Sequence, residues 1–331
     1  MSITLISTVL NEGDNIHHMM NGLLKQTRQP DEIIIVDGGS QDNTAETIRS
    51  YQDRLPLKVL VREGCNISEG RNTAIDAATG DILVITDAGT RLSENWLENI
   101  TQPMLDNPDV TVVAGFFKAD PHNTFETAMG ATVLPLEDEI DPATFLPSSR
   151  SVALRKSAAQ AINGYPEWLD YCEDLIFDMR LQKTQPPFVF APDALVYFRP
   201  RETMSAYFKQ YYRYARGDGK ANLWRKRHII RYITYLVAAP IILLLSILIH
   251  PAFLLLFVVG GAIYLYQPYR RLPTVMQDNP EKSVFAWIVA IVLIPIIRVA
   301  GDIAKMIGYP VGLYWRYQNK PPQWQITEAI Q

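Results

Sequence analysis

The stretch Gly80-Asp81-Ile82-Leu83-Val84-Ile85-Thr86-Asp87-Ala88-Gly89-Thr90-Arg91 decides how this chain folds. It reads as a short strand over residues 82–86 that stops at a carboxylate, Asp87, and a small-residue turn, Ala88-Gly89. A brief apolar run bounded by turn residues suits a strand covered on both faces of an α/β sheet. Asp87 then sits at the strand's carboxyl end, the edge along which open α/β sheets bind their ligands. An Asp ahead of a Gly also suits a plain turn. The reading therefore depends on what else reaches that edge.

Working outward, residues 3–10 are β-rich and lead into Asn11-Glu12-Gly13-Asp14, a turn ahead of a helix carrying Met19, Leu23 and Leu24. Residues 32–36 repeat the strand pattern and end at Asp37-Gly38-Gly39-Ser40. Asp42 or Asn43 can cap a helix through Ile48, residues 57–61 read as a third strand, and Ser68 can cap a helix through Ala77. Strands alternating with short helices imply parallel pairing through right-handed crossovers, a half Rossmann-like unit up to Asp87. Thr8 with Glu12, Asp37 and Asp87 then lie along one edge, and several carboxylates converge on one crevice. No G-x-G-x-x-G follows the first strand and no P-loop is present, which disfavours a dinucleotide site.

Beyond Asp87, Ser93 can cap a helix through Leu105, residues 110–117 read as a strand, and residues 120–147 as a loop or short helix over the crevice. Residues 151–154 look like a strand, 157–162 a short helix, and Gly164-Tyr165-Pro166 a turn. Glu173 and Asp174 fall in the first turn of a helix reaching Gln182, where the helix dipole favours acids. Residues 188–198 give one or two strands, and a helix from Ser205 is expected to end at Gly217-Asp218-Gly219.

A chain of 331 residues allows two domains, and a net charge of -4 argues against a nucleic-acid partner. The two cysteines, Cys65 and Cys172, have no metal-type spacing and read as free thiols in a reducing compartment. The first ten residues lack a basic leader, so the amino-terminal domain is expected in the cytoplasm. From Tyr232 to Tyr269 no side chain is formally charged, and His250-Pro251 divides the run into two halves, each near the roughly 20 residues that cross a bilayer. Lys209, Arg213, Arg216, Lys220, Arg225, Lys226, Arg227 and Arg231 precede this hairpin, and Arg270 and Arg271 follow it. By the positive-inside rule both flanks are cytoplasmic. The expected division is a domain over 1–225 and a membrane region over 226–331, with hydrophobic helices near 232–250, 252–269 and 284–301. Arg298 and Asp302 form an i,i+4 pair able to neutralise each other. That segment reads either as a third span or as a helix that bends at Pro295 and continues along the interface or re-enters it. The polar tail after Trp315 is expected to order poorly.

The constellation resembles the GT-A fold of family 2 glycosyltransferases: an α/β domain with a Rossmann-like, mixed but mostly parallel sheet, here followed by an α-helical membrane region. The matching residues are Ser7-Thr8-Val9-Leu10-Asn11-Glu12, Asp37-Gly38-Gly39-Ser40, Gly70-Arg71-Asn72, Asp81 to Asp87, Glu173-Asp174 and Gln210-x-x-Arg213-Tyr214. The resemblance implies that Thr8, Glu12 and Asp37 hold the base and ribose of a nucleotide diphosphate sugar and that Arg71 fixes the nucleotide or its phosphates. It matches Asp87 to the first acid of D-x-D, which holds Mg or Mn, and Asp174 to the catalytic base. Gln210, Arg213 and Tyr214 match Q-x-x-R-W with Tyr in place of Trp, on the acceptor and diphosphate side with Glu173 and Arg216. Asp87-Ala88-Gly89 lacks the second D-x-D acid, and His122, Asp120 and Glu173 are candidates to supplement it, because a divalent cation needs several oxygens.

The expected activity is inverting transfer to a lipid-linked or cell-surface glycan at the cytoplasmic membrane, with membrane lipids and no nucleic acid as partners. Asp174 serves as base, and a cation at Asp87 with Arg213 or Arg216 offsets the leaving charge. The alternatives are a polyprenyl-phosphate sugar synthase and a sugar-nucleotide-binding pseudoenzyme or membrane scaffold.

Overall fold

The computed structural model describes residues 1–324. In chain order the strands and helices are β1 (Ile3–Val9), α1 (Ile16–Leu24), β2 (Glu32–Asp37), α2 (Thr44–Arg49), β3 (Leu57–Val61), α3 (Ile67–Ala77), β4 (Ile82–Ile85), β5 (Thr90–Leu92) and α4 (Trp96–Asp106). They continue as β6 (Val112–Ala119), α5 (Thr124–Val133), β7 (Val152–Arg155), α6 (Lys156–Ala161), α7 (Glu173–Thr184), β8 (Val189–Phe198) and α8 (Met204–Ala221). The last helices are α9 (Arg225–Ile233), α10 (Ala239–Leu248), α11 (Leu255–Val275) and α12 (Val284–Asn319). Two compact units result: one holds Met1–Lys118 and Leu136–Phe198, the other Ala119–Pro135 and Arg199–Pro321. The sequence boundary at 225 falls inside the second unit.

The first unit is built on a mixed sheet in the order β3-β2-β1-β4-β7-β6-β8-β5. Strands β3, β2, β1 and β4 run parallel, while β7 is antiparallel to β4 and to β6, and β5 to β8. The central strands are apolar on both faces, Ile33 to Val36 and Ile82 to Ile85 all being fully buried, because helices cover the sheet on two sides. One core carries Met19, Leu23, Trp96 and Ile100; the other carries Ala74, Ile75, Ile162, Tyr165 and Phe177. Register matters for function: Val9 pairs with Asp37 and Ile6 with Ile85, so Thr8, Asp37 and Asp87 emerge at the same sheet edge.

Three helix ends differ from the sequence reading, the first being α4, where Asn95 and not Ser93 is the N-cap and no side chain caps the helix. Helix α3 is capped by Asn66, whose side chain accepts from the Glu69 N–H while Glu69 returns the bond to the Asn66 N–H, a reciprocal capping box. Ser68 instead turns inward and donates to the Leu169 carbonyl at 3.1 Å. Helix α8 does not stop at Gly217-Asp218-Gly219 but runs to Ala221, with Asn222 in the left-handed region at φ 55°. Gly219 serves packing, as do two glycines of α12. A Cβ on Gly219 would lie 2.3 Å from the Tyr309 carbonyl oxygen, one on Gly308 2.2 Å from the Tyr212 carbonyl oxygen, and one on Gly312 2.0 Å from that of Arg216. Helices α8 and α12 therefore meet backbone to backbone, as small residues at regular spacing permit.

In this second unit α9 and α10 join through a π-turn into one helical segment, Arg225–Leu248. It and Pro251–Val275 and Val284–Asn319 are long and apolar enough to cross a membrane, with Ile241, Leu244, Ile247, Leu255, Val258 and Ile288 exposed along them. The third helix is continuous through Pro295 and Pro310. It also carries Arg316 to Asn319, which the sequence placed in a poorly ordered tail; the rest of that tail, from 325, lies outside the described residues. Asp302 is not paired with Arg298 but with Arg231 of α9, at 2.7 Å. Replacing Gly312 by Val should force α8 and α12 apart and cost at least about 1–3 kcal/mol. Thermal unfolding in detergent is expected to show that loss, whereas Gly260→Ala, where an added Cβ meets nothing within 4 Å, should unfold like the wild type.

Candidate active site

The turns after β1 and β2 are stitched into one platform. The Asn11 N–H donates to Ser40 Oγ at 2.9 Å, the Gln41 N–H to Asn11 Oδ1 at 2.8 Å, and the Glu12 N–H to Thr44 Oγ1 at 2.9 Å. Asn11 accepts the φ of 54° that this turn needs, a conformation Asn tolerates better than most residues. Asp37 is fixed from within the platform: its Oδ1 accepts from the Gly39 and Ser40 N–H groups and from Ser40 Oγ at 2.8–2.9 Å. Among the described residues its Oδ2 makes no hydrogen bond.

Gly70-Arg71-Asn72 on α3 closes the site from the other side, each residue through a different physical property. Gly70 lets the helix approach β1, since a Cβ there would lie 2.9 Å from Thr8 Cγ2. Asn72 pins the turn ahead of α7: its Oδ1 accepts from the Tyr165 N–H at 2.8 Å, and its Nδ2 donates to the Tyr165 carbonyl and to Glu167. Arg71 is 3% exposed and forks between two acids, Nη1 donating to Glu173 Oε1 at 2.8 Å and Nη2 to Asp87 Oδ1 at 3.0 Å. Its guanidinium also lies 5.0 Å over the Tyr165 ring, which stacks on Phe177 at 4.0 Å. The end of β4 and the first turn of α7 are thereby held to one point.

Asp174 follows Glu173 directly, half-buried, with Oδ1 accepting from the Leu175 N–H at 2.8 Å. Cys172, ahead of them, sits at φ 65°, a strained conformation for a side chain of this kind and one that sharpens the entry into α7. It and Cys65 are free thiols. Arg150, a residue the sequence gave no signal for, reaches to 3.9 Å from Asp87 Oδ2 and lies 4.2 Å over the Phe198 ring.

Gln210, Arg213, Tyr214 and Arg216 lie on α8 in the second unit, with Gln210 Nε2 donating to the Tyr214 hydroxyl at 2.8 Å. His122 and Asp120 also belong to that unit, the His122 N–H donating to Glu126. Among the described residues no three His, Cys, Asp or Glu side chains gather as a metal site. Asp87 fits a divalent cation as a single protein ligand. Its side chain is 33% exposed, only Oδ1 is closely bound, and Ala88 and Gly89 offer no side-chain donor. Diphosphate oxygens and water would complete the shell.

Burial pushes the Glu173 carboxyl up to about 7, with Asp174 adding to the shift and Arg71 opposing it. Asp178, one turn further along α7, escaped the sequence reading. Burial first and the Asp174 charge second hold its carboxyl well above the usual range, against Arg71. A carboxyl raised on folding keeps its proton while the unfolded chain releases one, so stability falls as pH rises from the ordinary carboxylate value through the folded one. Asp178→Asn, which has no proton to lose, should therefore gain thermal stability relative to wild type as pH rises from 5 to 8. Melting curves of both proteins across that range check the sign.

Two family descriptions match: Glycosyl transferase family 2 over residues 4–151 and Glycosyl transferase family group 2 over residues 82–297. The chain is 25% identical over 240 residues to glycosyltransferase AglE of Haloferax volcanii, covering 67% of this chain and 74% of that one. It is 24% identical over 229 residues to the O-antigen chain rhamnosyltransferase RfbN of Salmonella typhimurium, covering 63% and 71%. Other relatives match over about a third of this chain, which spans 40% or less of their length. Among solved structures, a mannosyltransferase from Pyrobaculum calidifontis in complex with GDP-Man and Mn2+ superposes with a TM-score of 0.55 at 17% identity, over 96% of this chain and 87% of that one, which shows a shared fold. With one description covering most of the chain and the sheet edge assembled as above, the protein belongs to glycosyl transferase family group 2, with a GT-A fold and three helices able to cross a membrane.

Proposed function

We propose that this glycosyltransferase moves a sugar from a nucleoside diphosphate to a lipid-linked or cell-surface glycan at the cytoplasmic face of a membrane, with inversion at the anomeric carbon. The observation that carries the reading is the Arg71 fork, which sets Asp174 beside the strand end bearing Asp87. The platform of Thr8, Glu12 and Asp37 takes the base and ribose, with Asp37 Oδ2 as the acceptor for a hydroxyl. Two solved structures of the same fold hold GDP-Man, in the Pyrobaculum enzyme, and UDP, in Staphylococcus aureus TarS, which supports a nucleoside diphosphate sugar as the donor class without naming its sugar.

In the chemical step an acceptor hydroxyl attacks the anomeric carbon and Asp174 takes its proton. The bond from that carbon to the diphosphate breaks, and its electron pair leaves with the diphosphate oxygen. Arg150, beside Asp87, faces the developing charge. A divalent cation bound at Asp87 would supply Lewis-acid neutralisation of the diphosphate. Arg71, with both arms committed to carboxylates, acts as a positioning residue rather than a phosphate contact. Gln210, Arg213, Tyr214 and Arg216 are assigned to the acceptor and diphosphate side on their motif. The basic residues flanking the apolar helices favour a cytoplasmic site, where anionic headgroups attract them.

Asp174→Asn should lower transfer by about 10²- to 10⁴-fold and leave donor binding within about twofold, read by thermal stabilisation with a panel of nucleotide sugars. Transfer at the wild-type rate would remove Asp174 as base. Asp87-Ala88-Gly89, with its single acid, favours one second reading, a binding scaffold. Donor hydrolysis or transfer with Mg or Mn supports the enzyme, and donor binding with neither supports the scaffold.

A further inference from the structure

Helix α12 carries Arg298, Asp302 and Lys305 at i, i+4 and i+7, along one face of a helix whose most apolar 18-residue stretch has a mean hydropathy of 2.4. The acid between the two cations is fully engaged elsewhere. Asp302 Oδ1 accepts from Arg231 Nε at 2.7 Å, and Oδ2 from the Tyr264 and Tyr235 hydroxyls at 2.6 and 3.2 Å. Asp218, the other acid of this cluster, takes its hydrogen bond from His228 Nε2 at 3.1 Å, and the opposite ring nitrogen of His228 receives one from Arg231. Three cations, Arg231, Arg298 and Lys305, thus share two carboxylates, and those carboxylates are turned towards Arg231, the tyrosines and His228.

Arg298 and Lys305 are left on aromatic faces, Arg298 5.0 Å over the Tyr264 ring and Lys305 4.8 Å over the Tyr211 ring. Among the described residues neither has a carboxylate within ion-pair distance. Both are half-buried rather than sealed, and the neighbouring Val299, Ile303 and Ile307 are exposed. A cation held among apolar groups with no carboxylate in contact, its nearest acids being bonded to other donors, is costly, and such residues in membrane helices mark sites for ions or charged substrates. The missing charge is negative, and the surrounding surface is apolar. A phosphate or diphosphate carried on a hydrocarbon chain satisfies both requirements, and Lys305 lies on Tyr211, the residue after Gln210 in α8.

We propose that Arg298 and Lys305 bind the phosphate or diphosphate group of a lipid-linked acceptor, while Tyr264 and Tyr211 hold the two cations facing it. This rests on the acceptor being lipid-borne, as proposed above. A planar guanidinium and a compact ammonium seven residues apart can clasp a diphosphate from two sides, whereas the single phosphodiester of a bulk phospholipid offers one point of attachment.

The test uses the full chain in phosphatidylcholine nanodiscs, with binding of a polyprenyl diphosphate and, separately, of phosphatidylglycerol measured by native mass spectrometry. The expected result is polyprenyl diphosphate binding at least about tenfold tighter than phosphatidylglycerol, weakened at least about tenfold in Arg298→Gln/Lys305→Gln, and retained in the charge-keeping Arg298→Lys/Lys305→Arg. Equal affinity for the two lipids would overturn the proposal by reducing the cluster to an anchor for bulk anionic lipid. Unchanged polyprenyl diphosphate binding by a folded Gln variant would overturn it as well. If the Gln variant fails to fold, the lipid comparison on wild type and the charge-keeping variant decides. Nucleotide-sugar binding in the same nanodiscs separates the two levels, because its absence refutes the transferase reading whatever the lipid result.

Discussion

One guanidinium between two carboxylates sets the geometry of the catalytic unit. Arg71 is buried at 3% exposure, and Asp87 and Glu173 come to it from positions 86 residues apart in the chain. A buried ion pair contributes little over a well-packed apolar substitute, but once present it cannot lose one partner cheaply, because the charge left behind is uncompensated at about 3–5 kcal/mol. Arg71 therefore acts less as a source of stability than as a constraint on register. The first turn of α7 must meet the end of β4, and Asp174, next in sequence to Glu173, has no freedom to lie elsewhere.

The frame around that constraint is polar and local. Asn72 fixes the Tyr165 turn, Tyr165 stacks on Phe177 of α7, and Gly70 allows α3 to close on Thr8. The base proposed at Asp174 must be placed to within a fraction of an ångström, and rigid supporting groups of this kind supply such placement. In the second unit the same end is reached by different means. Glycines bring α8 against α12 backbone to backbone, so the helix bearing Gln210, Arg213 and Tyr214 is fixed to a helix able to cross a membrane.

The parallel half of the sheet was legible because period and punctuation agree there: apolar runs ended by Asp37 and Asp87, with turn residues at each end. Strand pairing beyond Asp87 was not, since β6, β7 and β8 carry no sign in their residues of antiparallel partners. The carboxylates at the sheet edge followed from the topology of a parallel sheet. Asp178 and Arg150 did not, because an acid inside an amphipathic helix and an arginine in a loop look like surface residues until burial is known. Gly219 was misread as part of a helix stop for a related reason. A glycine that breaks a helix and one that admits a neighbouring backbone are identical in a single sequence. The Arg298–Asp302 spacing likewise permitted a local pair, and only the arrival of Arg231 from α9 directs Asp302 away from it.

A double-mutant cycle on the unfolding free energy, combining Arg71→Met with Glu173→Gln in the detergent-solubilised chain, tests the central claim most directly. If Arg71 is the point on which α7 and β4 are joined, each single change strands a buried partner, and the double variant should be less destabilised than the sum by about 1–3 kcal/mol. Effects that add to within about 0.5 kcal/mol would show that the two residues act independently, and would contradict the account.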